Sequence, residues 1–212
     1  MRLKRRLDPG SSYFEPDAGD ARIDLRALFE PSPGTRRPLE LEIGSGKGTF
    51  LVQEAVARPG SDFFGIEHMK KYAMYAADRC KRAGLANVRV LGGDAVAFVT
   101  SRVPDAVFDI VHVYHPDPWP KARHHKRRII RPDFLLQLVR VLVPGGELRV
   151  VTDHPEYAQW IAEVLPGAPL EEIEYTRPTS AKDGELVGTN FERKYQKLDG
   201  RALYPFARRK PV

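Results

Sequence analysis

The segment Glu42-Ile-Gly44-Ser-Gly46-Lys-Gly48 combines a carboxylate with three glycines at alternate positions. Glycines let a chain turn sharply and approach a ligand closely. A dinucleotide fingerprint would place its third glycine at position 49, which is Thr49, and the carboxylate of Glu42 would repel a pyrophosphate. A cationic ligand without phosphate fits better, and S-adenosylmethionine has both a sulfonium and an ammonium group. The segment therefore predicts a site for S-adenosylmethionine around Glu42, Gly44 and Gly46.

Two further carboxylates extend this prediction. Glu67 lies 19 residues after Gly48, where an acid can accept hydrogen bonds from both ribose hydroxyls. Asp94 follows two glycines, and we expect it to receive the adenine amino group with the backbone N–H of Ala95 nearby. Either acid alone could equally be a helix cap or a turn residue. Together with Glu42 they favour one shared ligand.

The candidate reacting residue lies in the run His115-Pro-Asp-Pro-Trp-Pro120. Its three prolines predict a stiff, extended loop that presents Asp117 and Trp119. A carboxylate beside an aromatic ring suits a purine, because the acid accepts hydrogen bonds from the Watson–Crick edge and the ring can stack. Asp117 is therefore the candidate catalytic carboxylate. Trp119 could stack on a base or anchor the loop by packing, and the sequence leaves both open.

A strongly basic segment follows this loop. Residues 121–131 contain six Lys and Arg, among them Lys121 and Arg123, and no acid. The chain as a whole carries +6, so the remaining residues sum to zero. Charge concentrated beside a candidate reacting carboxylate attracts nucleic-acid phosphates. We therefore expect a nucleic-acid substrate here, whereas the basic clusters at the two chain ends could bind RNA or simply be solvated.

Alternating strands and helices would bring these side chains together. Apolar patterns predict five strands, at residues 39–43, 62–66, 87–91, 107–113 and 147–152. Helices are predicted between them, and further extended segments at residues 171–175 and around 189–194. The alternation predicts an α/β fold with a doubly wound, mostly parallel, Rossmann-like sheet and helices on both faces. Ligands bind at the carboxyl ends of such strands, which is where the candidate carboxylates fall.

Composition limits the alternatives. The chain has 212 residues, of which 42% are hydrophobic and 29% charged, as expected for one globular domain with an appendage. We divide it into a basic, partly ordered arm at residues 1–37 and a domain at residues 38–212 that carries the predicted S-adenosylmethionine site. No apolar run approaches the ~20 residues of a membrane helix, and the single cysteine, Cys80, indicates a reducing compartment.

These limits predict a cytoplasmic protein with no membrane partner, which could be a monomer or a homodimer. We expect no metal, because the adjacent His124 and His125 cannot comfortably chelate one ion and His112 and His115 lack further ligands nearby in the sequence.

Six motifs then occur in a fixed order along the chain. They are Glu42–Gly48, Gly65–Glu67, Asp94-Ala95, Pro116–Arg128, Thr152-Asp153 and Thr189–Glu192. Over about residues 38–197, this set resembles the bacterial tRNA (guanine-N7)-methyltransferases, and the Pro-Asp-Pro-Trp run with its basic tail is the most specific part. The sequence departs from the usual pattern at Tyr114-His115, His154 and Asn190.

The resemblance implies a role for each matched position. The residues expected to contact S-adenosylmethionine are Glu42, Glu67, Asp94 and Asp117. The residues expected to bind the substrate are Lys121, Asp153, Thr189, Asn190, Phe191 and Glu192. The product would be N7-methylguanosine in the variable loop of tRNA. Guanine N7 has a free lone pair, so we expect Asp117 to orient the base and stabilise developing charge rather than to remove a proton.

Three other functions stay open at this point. The chain could methylate another RNA or another guanine atom. It could be an RNA-binding subunit that keeps the fold without the chemistry, although the presence of Glu42, Glu67 and Asp94 argues against this. Aminopropyl transfer to a polyamine on a similar fold is disfavoured, because an amine substrate calls for acidic rather than basic surroundings.

Overall fold

A computed structural model describes residues 6–19, 21–30 and 36–212, apart from the side chains of residues 196–199. Its strands are Tyr13–Phe14 (β1), Leu39–Ile43 (β2), Asp62–Glu67 (β3), Val88–Gly92 (β4), Phe108–Tyr114 (β5), Leu142–Thr152 (β6), Glu171–Glu172 (β7) and Tyr204–Arg209 (β8). Its α-helices are Thr49–Ala57 (α1), Lys70–Arg82 (α2), Ala95–Arg102 (α3), Pro132–Val141 (α4), Pro155–Val164 (α5) and Asn190–Asp199 (α6).

All eight strands form one sheet in the order β1-β4-β3-β2-β5-β6-β8-β7. Strands β1 to β6 pair in parallel, while β8 runs antiparallel to both β6 and β7. Helices α1 and α2 pack on one face through residues such as Phe50 and Ala76, and α3, α4 and α5 pack on the other through residues such as Phe98 and Leu138. The predicted doubly wound, mostly parallel sheet is confirmed. Its arrangement places the loops after β2, β3, β4, β5 and β6 at one edge.

Strand β2 is buried along its whole length, including its two acids. Leu39, Leu41 and Ile43 fill the apolar cluster beneath α3, α4 and α5. Because side chains alternate along a strand, Glu40 and Glu42 both face the α1 side. Acidic residues at alternate positions of a strand usually indicate that one face of the strand is in contact with solvent. The sequence alone therefore does not show that Glu40 and Glu42 are buried.

The sequence interpretation was wrong at residues 189–194. This segment begins helix α6 rather than a strand, because the Thr189 hydroxyl accepts the Glu192 backbone N–H at 3.1 Å and caps the first turn. The late strand is instead β8, which includes part of the basic cluster at the C-terminal end. There Arg208 pairs with Glu172 at 2.8 Å and Arg209 with Glu147 at 2.9 Å.

Part of the predicted N-terminal arm joins the sheet. Tyr13 and Phe14 lie opposite Val90 and Leu91 as the parallel strand β1. Further along the arm, residues Leu25–Leu28 form a single 3₁₀ turn. Most of the basic N-terminal cluster lies outside the described residues, and the division of the chain at residues 37 and 38 stays a prediction.

Candidate active site

The glycine-rich turn after β2 is tied to the end of β3. The backbone N–H groups of Gly44 and Ser45 donate to the Ile66 carbonyl at 2.8 and 3.2 Å. The carboxylate of Glu67 then accepts the Gly46 N–H at 2.8 Å through Oε2 and the Met69 N–H at 2.9 Å through Oε1. One acid therefore joins the turn to the start of α2.

Two glycines give this turn its shape. Gly48 has φ +70°, and a Cβ added to it would lie 2.7 Å from the Cβ of Ala76, so the turn approaches α2 too closely for any other residue. Gly46 has φ +54°, and a Cβ there would meet no atom within 4 Å. The turn therefore rests against α2 on one side and leaves open space on the other.

Glu42 is the unusual carboxylate of this site. Its side chain is buried, and among the described residues its Oε2 atom has no hydrogen-bond partner. Burial raises the pKa of Glu42 to about 8, an effect that the Ser45 hydroxyl opposes and the charge of Glu67 reinforces. A cationic ligand beside it would favour the charged form. The site thus fits the ammonium and sulfonium groups of S-adenosylmethionine.

Asp94 lies next to this turn. The backbone N–H of Gly93 donates to the carbonyl of Glu67 at 3.0 Å, which brings the end of β4 against the end of β3. Oδ1 of Asp94 accepts the Ala97 N–H at 3.0 Å, so Asp94 is a helix cap, and it is also exposed. A cavity of about 450 Å³ opens beside it, with Tyr13 among its lining residues.

The proline-rich loop after β5 exposes Asp117. His115 and Trp119 on either side of it adopt left-handed backbone conformations, with φ of +49° and +44°. Such conformations are strained for residues other than glycine and are often found at functional sites. The Trp119 ring lies 4.9 Å from the Arg127 guanidinium, so it packs within the loop while staying half-buried.

A buried arginine holds this loop in place. Nε of Arg128 donates to the Pro118 carbonyl at 2.9 Å, and its terminal nitrogen donates to Glu156 at 2.7 Å. Its guanidinium also lies against the rings of Tyr157 and Trp160, at 5.1 and 5.2 Å. The sequence offered no signal that separates Arg128 from its basic neighbours. We therefore assign it to positioning the loop rather than to phosphate contact.

The rest of the basic segment is largely exposed. Residues Ala122–Arg127 form a 3₁₀ helix, and Arg131 pairs with Asp133 at 2.8 Å. Four exposed basic side chains remain beside Asp117: Lys121, Arg123, Lys126 and Arg127. The two predicted substrate contacts, Lys121 and Arg123, are among them.

The start of α6 reaches both the glycine-rich turn and the proline-rich loop. The Asn190 amide donates to Oγ1 of Thr49 at 2.8 Å, and the Phe191 ring lies 4.7 Å from that of His115. Glu192 is buried and accepts the backbone N–H groups of Val187 and Gly188 at 2.9 and 2.7 Å. In this structure Thr189 and Glu192 thus fix the segment, while Asn190 and Phe191 are exposed.

His115 is a candidate that the sequence reasoning did not assign. Both of its ring nitrogens are sheltered and lack a hydrogen-bond partner among the described residues. Burial lowers the pKa of His115, against the charges of Asp153 and Glu192 nearby. Asp153, at the end of β6, pairs with Arg201 at 2.8 Å. His115 therefore lies among residues predicted to bind substrate.

Two other features are structural. His112 contacts Glu40 and the Tyr114 hydroxyl, at 2.9 and 2.7 Å. Burial raises the pKa of the Cys80 thiol to about 12, which makes it unreactive. Within residues 6–19, 21–30 and 36–212, no cluster of His, Cys, Asp and Glu could hold a metal ion. Across the same ranges, no helix has the length and apolarity of a membrane span.

Solved structures share this fold. The 16S rRNA methyltransferase KamB superposes with a TM-score of 0.58 at 17% identity, covering 82% of this chain and 88% of that one. The [4+2]-cyclase SpnF superposes with a TM-score of 0.56 at 22% identity, covering 83% and 76%. At these identities the likeness establishes the fold alone, and the two names show that one fold supports different reactions.

Sequence relatives are more informative. Residues 36–204 match a family model described as "Putative methyltransferase". A tRNA (guanine-N(7)-)-methyltransferase of Rhodopirellula baltica is 40% identical over 203 residues, which span 91% of this chain and 72% of that protein. Its namesake from Halorhodospira halophila is 43% identical over 68% of this chain and 60% of its own length. By the family model and the extent of these alignments, the chain belongs to the tRNA (guanine-N(7)-)-methyltransferase family.

Proposed function

We propose that this chain transfers a methyl group from S-adenosylmethionine to N7 of a guanine in the variable loop of tRNA. The observation that carries the proposal is the exposed carboxylate of Asp117 in a loop anchored by Arg128 and followed by four exposed cations. That arrangement presents a purine-binding acid beside a surface for phosphates. The names of the relatives supply the chemical identity of the product.

The cofactor would lie across the ends of β2, β3 and β4. S-adenosylmethionine, when bound, supplies an electrophilic methyl group on its sulfonium. Glu42 would balance the positive charge of the ligand, and Gly44 and Gly46 leave room for it. Each carboxylate oxygen of Glu67 keeps a second lone pair for a ribose hydroxyl, beyond the backbone N–H that it already accepts. Asp94 and Ala95 would receive the adenine.

The guanine would lie between the proline-rich loop and the start of α6. Asp117 would accept hydrogen bonds from the N1–H and amino edge of the base, which aligns N7 with the methyl group. The same carboxylate would stabilise the positive charge that develops on the purine. Because N7 already has a free lone pair, no base has to remove a proton from it. Lys121 and Arg123 would hold the flanking phosphates, with Asp153 and residues 189–192 bordering the base.

The direct test is transfer of labelled methyl from S-adenosylmethionine to unmodified tRNA, followed by nucleoside analysis. N7-methylguanosine in tRNA is the expected product, and ribosomal RNA assayed in parallel should stay unlabelled. Label at another nucleoside, or in ribosomal RNA alone, would contradict the proposed substrate while keeping the fold and the cofactor. A cytoplasmic location and a monomeric or homodimeric state remain predictions.

A further inference from the structure

A row of side chains on α2 projects into solvent. Met69, just before the helix, and Tyr72 and Tyr75 within it are 51, 37 and 39% exposed, and Arg79 continues the row one turn later. Residues spaced by three or four share one face of a helix. The opposite face is the buried one, with Ala73, Ala76, Ala77 and Cys80 in the core. We call the exposed row at positions 69, 72, 75 and 79 the α2 ridge.

The ridge is basic as well as aromatic. The Lys47 ammonium lies 5.6 Å from the centre of the Tyr72 ring, and Lys71 is exposed one helical turn before Tyr75. The one acid within α2 is Asp78, which is buried and pairs with Arg82 at 2.9 Å. Exposed aromatic rings interleaved with cations suit single-stranded nucleic acid, whose bases stack while its phosphates are neutralised. Unpaired RNA offers planar bases to the two tyrosine rings and phosphates to the cations at the same time.

The ridge is continuous with the candidate substrate surface. Arg79 donates to the Lys47 carbonyl at 2.7 Å and to Oγ1 of Thr49 at 3.2 Å. The same Thr49 oxygen accepts the amide of Asn190, at the start of α6. The ridge therefore adjoins the residues to which the proposed function assigns the target nucleotide.

The basic segment lies on the other side of the sheet. Its anchor Arg128 packs against α5, within the cluster formed by α3, α4 and α5, whereas α2 belongs to the opposite cluster. RNA held at the basic segment alone would contact the crevice, formed by the loops at the carboxyl ends of the strands, from one side only. Two positively charged surfaces that flank one crevice can hold a large RNA in register on both sides.

We propose that the α2 ridge is a second tRNA-binding surface, with Tyr72 and Tyr75 stacking on unpaired bases and Lys47 and Lys71 neutralising phosphates. The inference rests on the proposed function for the identity of the RNA. It assigns to the ridge a part of the tRNA away from the nucleotide that is methylated. Loss of the ridge should therefore weaken tRNA binding without slowing methyl transfer in the bound complex.

The test compares variants of the full chain. Tyr72→Ala with Tyr75→Ala should raise the Kd for tRNA by roughly 25-fold or more, since base stacking on an aromatic side chain contributes about 5- to 150-fold per base. Tyr72→Phe with Tyr75→Phe keeps the rings and should retain affinity. Leu136→Ala, at a residue 51% exposed on α4, is the matched control and should bind as the unmodified protein does. The single-turnover rate at saturating tRNA and the Kd for S-adenosylmethionine should not change in any of them.

A salt titration separates the charges from the rings. Lys47→Ala with Lys71→Ala should lower the slope of log Kd against log salt by about one to two units, because each lost phosphate contact removes close to one unit. Unchanged tRNA affinity in the alanine variants would overturn the inference. A change in sedimentation without a change in tRNA affinity would also overturn it, in favour of a second copy of the chain on the ridge. Because Kd is measured independently of product identity, failure of the ridge is distinguishable from failure of the proposed reaction.

Discussion

Glu40 and Glu42 share one face of β2, two residues apart, yet among the described residues only Glu40 has a partner for each carboxylate oxygen. Oε2 of Glu40 lies 2.9 Å from Nε2 of His112, and its other oxygen pairs with Arg58. Despite burial, these two partners hold the pKa of Glu40 below its usual value, whereas burial raises the pKa of Glu42 to about 8. Glu40 thus supports the fold as a paired carboxylate. Glu42 stays protonated until a cationic ligand binds beside it.

The raised pKa of Glu42 predicts that cofactor binding depends on pH. A cationic ligand favours the charged carboxylate, so binding below pH 8 must release a proton from Glu42. The affinity for S-adenosylmethionine should therefore rise from pH 6 to pH 8 and level off above. Calorimetry in buffers of different ionisation enthalpy measures the proton release directly. Proton uptake, or affinity independent of pH, would contradict this role.

Stability provides the control for this prediction. The folded chain keeps a proton on Glu42 between the unfolded pKa of 4.5 and about 8, so Glu42 lowers stability progressively as pH rises through that window. Glu42→Gln should weaken cofactor binding yet make the protein more stable at pH 8. Glu40→Gln, the matched substitution on the same strand, should instead lower stability, because it removes the buried negative charge that Arg58 and His112 balance.

Removing the charge of Asp117 should slow the reaction itself. We expect Asp117→Asn to lower the single-turnover rate at saturating tRNA and cofactor by about 100-fold, which is typical for loss of one electrostatic contact to the transition state. The affinity for tRNA should change little, since the four exposed cations remain. Near-normal turnover in this variant would remove Asp117 from the mechanism.

Arg128 should affect stability and turnover together. Arg128→Ala empties a buried position and leaves the Pro118 carbonyl without its donor, and we expect it to lower the free energy of unfolding by about 2 kcal/mol or more. Arg123→Ala, at an exposed position in the same segment, should raise the KM for tRNA and leave stability unchanged. Chemical denaturation and steady-state kinetics of both variants check the distinction. If Arg128→Ala leaves stability unchanged, as Arg123→Ala should, Arg128 does not hold the loop in place.

Much of this site was predictable from the sequence because strand ends are local features. The acids at positions 42, 67, 94 and 117 each follow or close an apolar run, and parallel strands bring such ends together. What the sequence could not distinguish is burial. Arg128 looks like its neighbours in a basic run, and Glu40 looks like Glu42, until contacts across the sheet separate them. The start of α6 was missed although Thr189 and Glu192 have the spacing of a capping box, which indicates the start of a helix. Only the bonds from Glu192 to residues 187 and 188 depend on the folded loop.

Replacing His115 should change both the stability of the protein and the dependence of that stability on pH. Its two ring nitrogens are sheltered without partners among the described residues, so His115→Phe should raise the free energy of unfolding by about 1 kcal/mol. Burial lowers the pKa of His115, while Asp153 and Glu192 oppose that shift. The protein should therefore become less stable as pH falls below 6.5, because the unfolded chain binds a proton at His115 more tightly than the folded chain does. The phenylalanine variant should lack this pH dependence. Thermal denaturation from pH 5 to pH 8 measures both effects, and a variant less stable at every pH would contradict the prediction.

Chemical cleavage at the modified base distinguishes N7-methylguanosine in the variable loop of tRNA from every other product of methyl transfer. Borohydride reduction followed by aniline cuts RNA at N7-methylguanosine, so the fragments report which nucleotide the protein has methylated. A single cut within the variable loop of tRNA, present with the unmodified protein and strongly reduced with Asp117→Asn, is the predicted result. Cuts elsewhere in the tRNA, or labelled tRNA that resists cleavage, would show that the target is a different nucleotide or a different guanine atom.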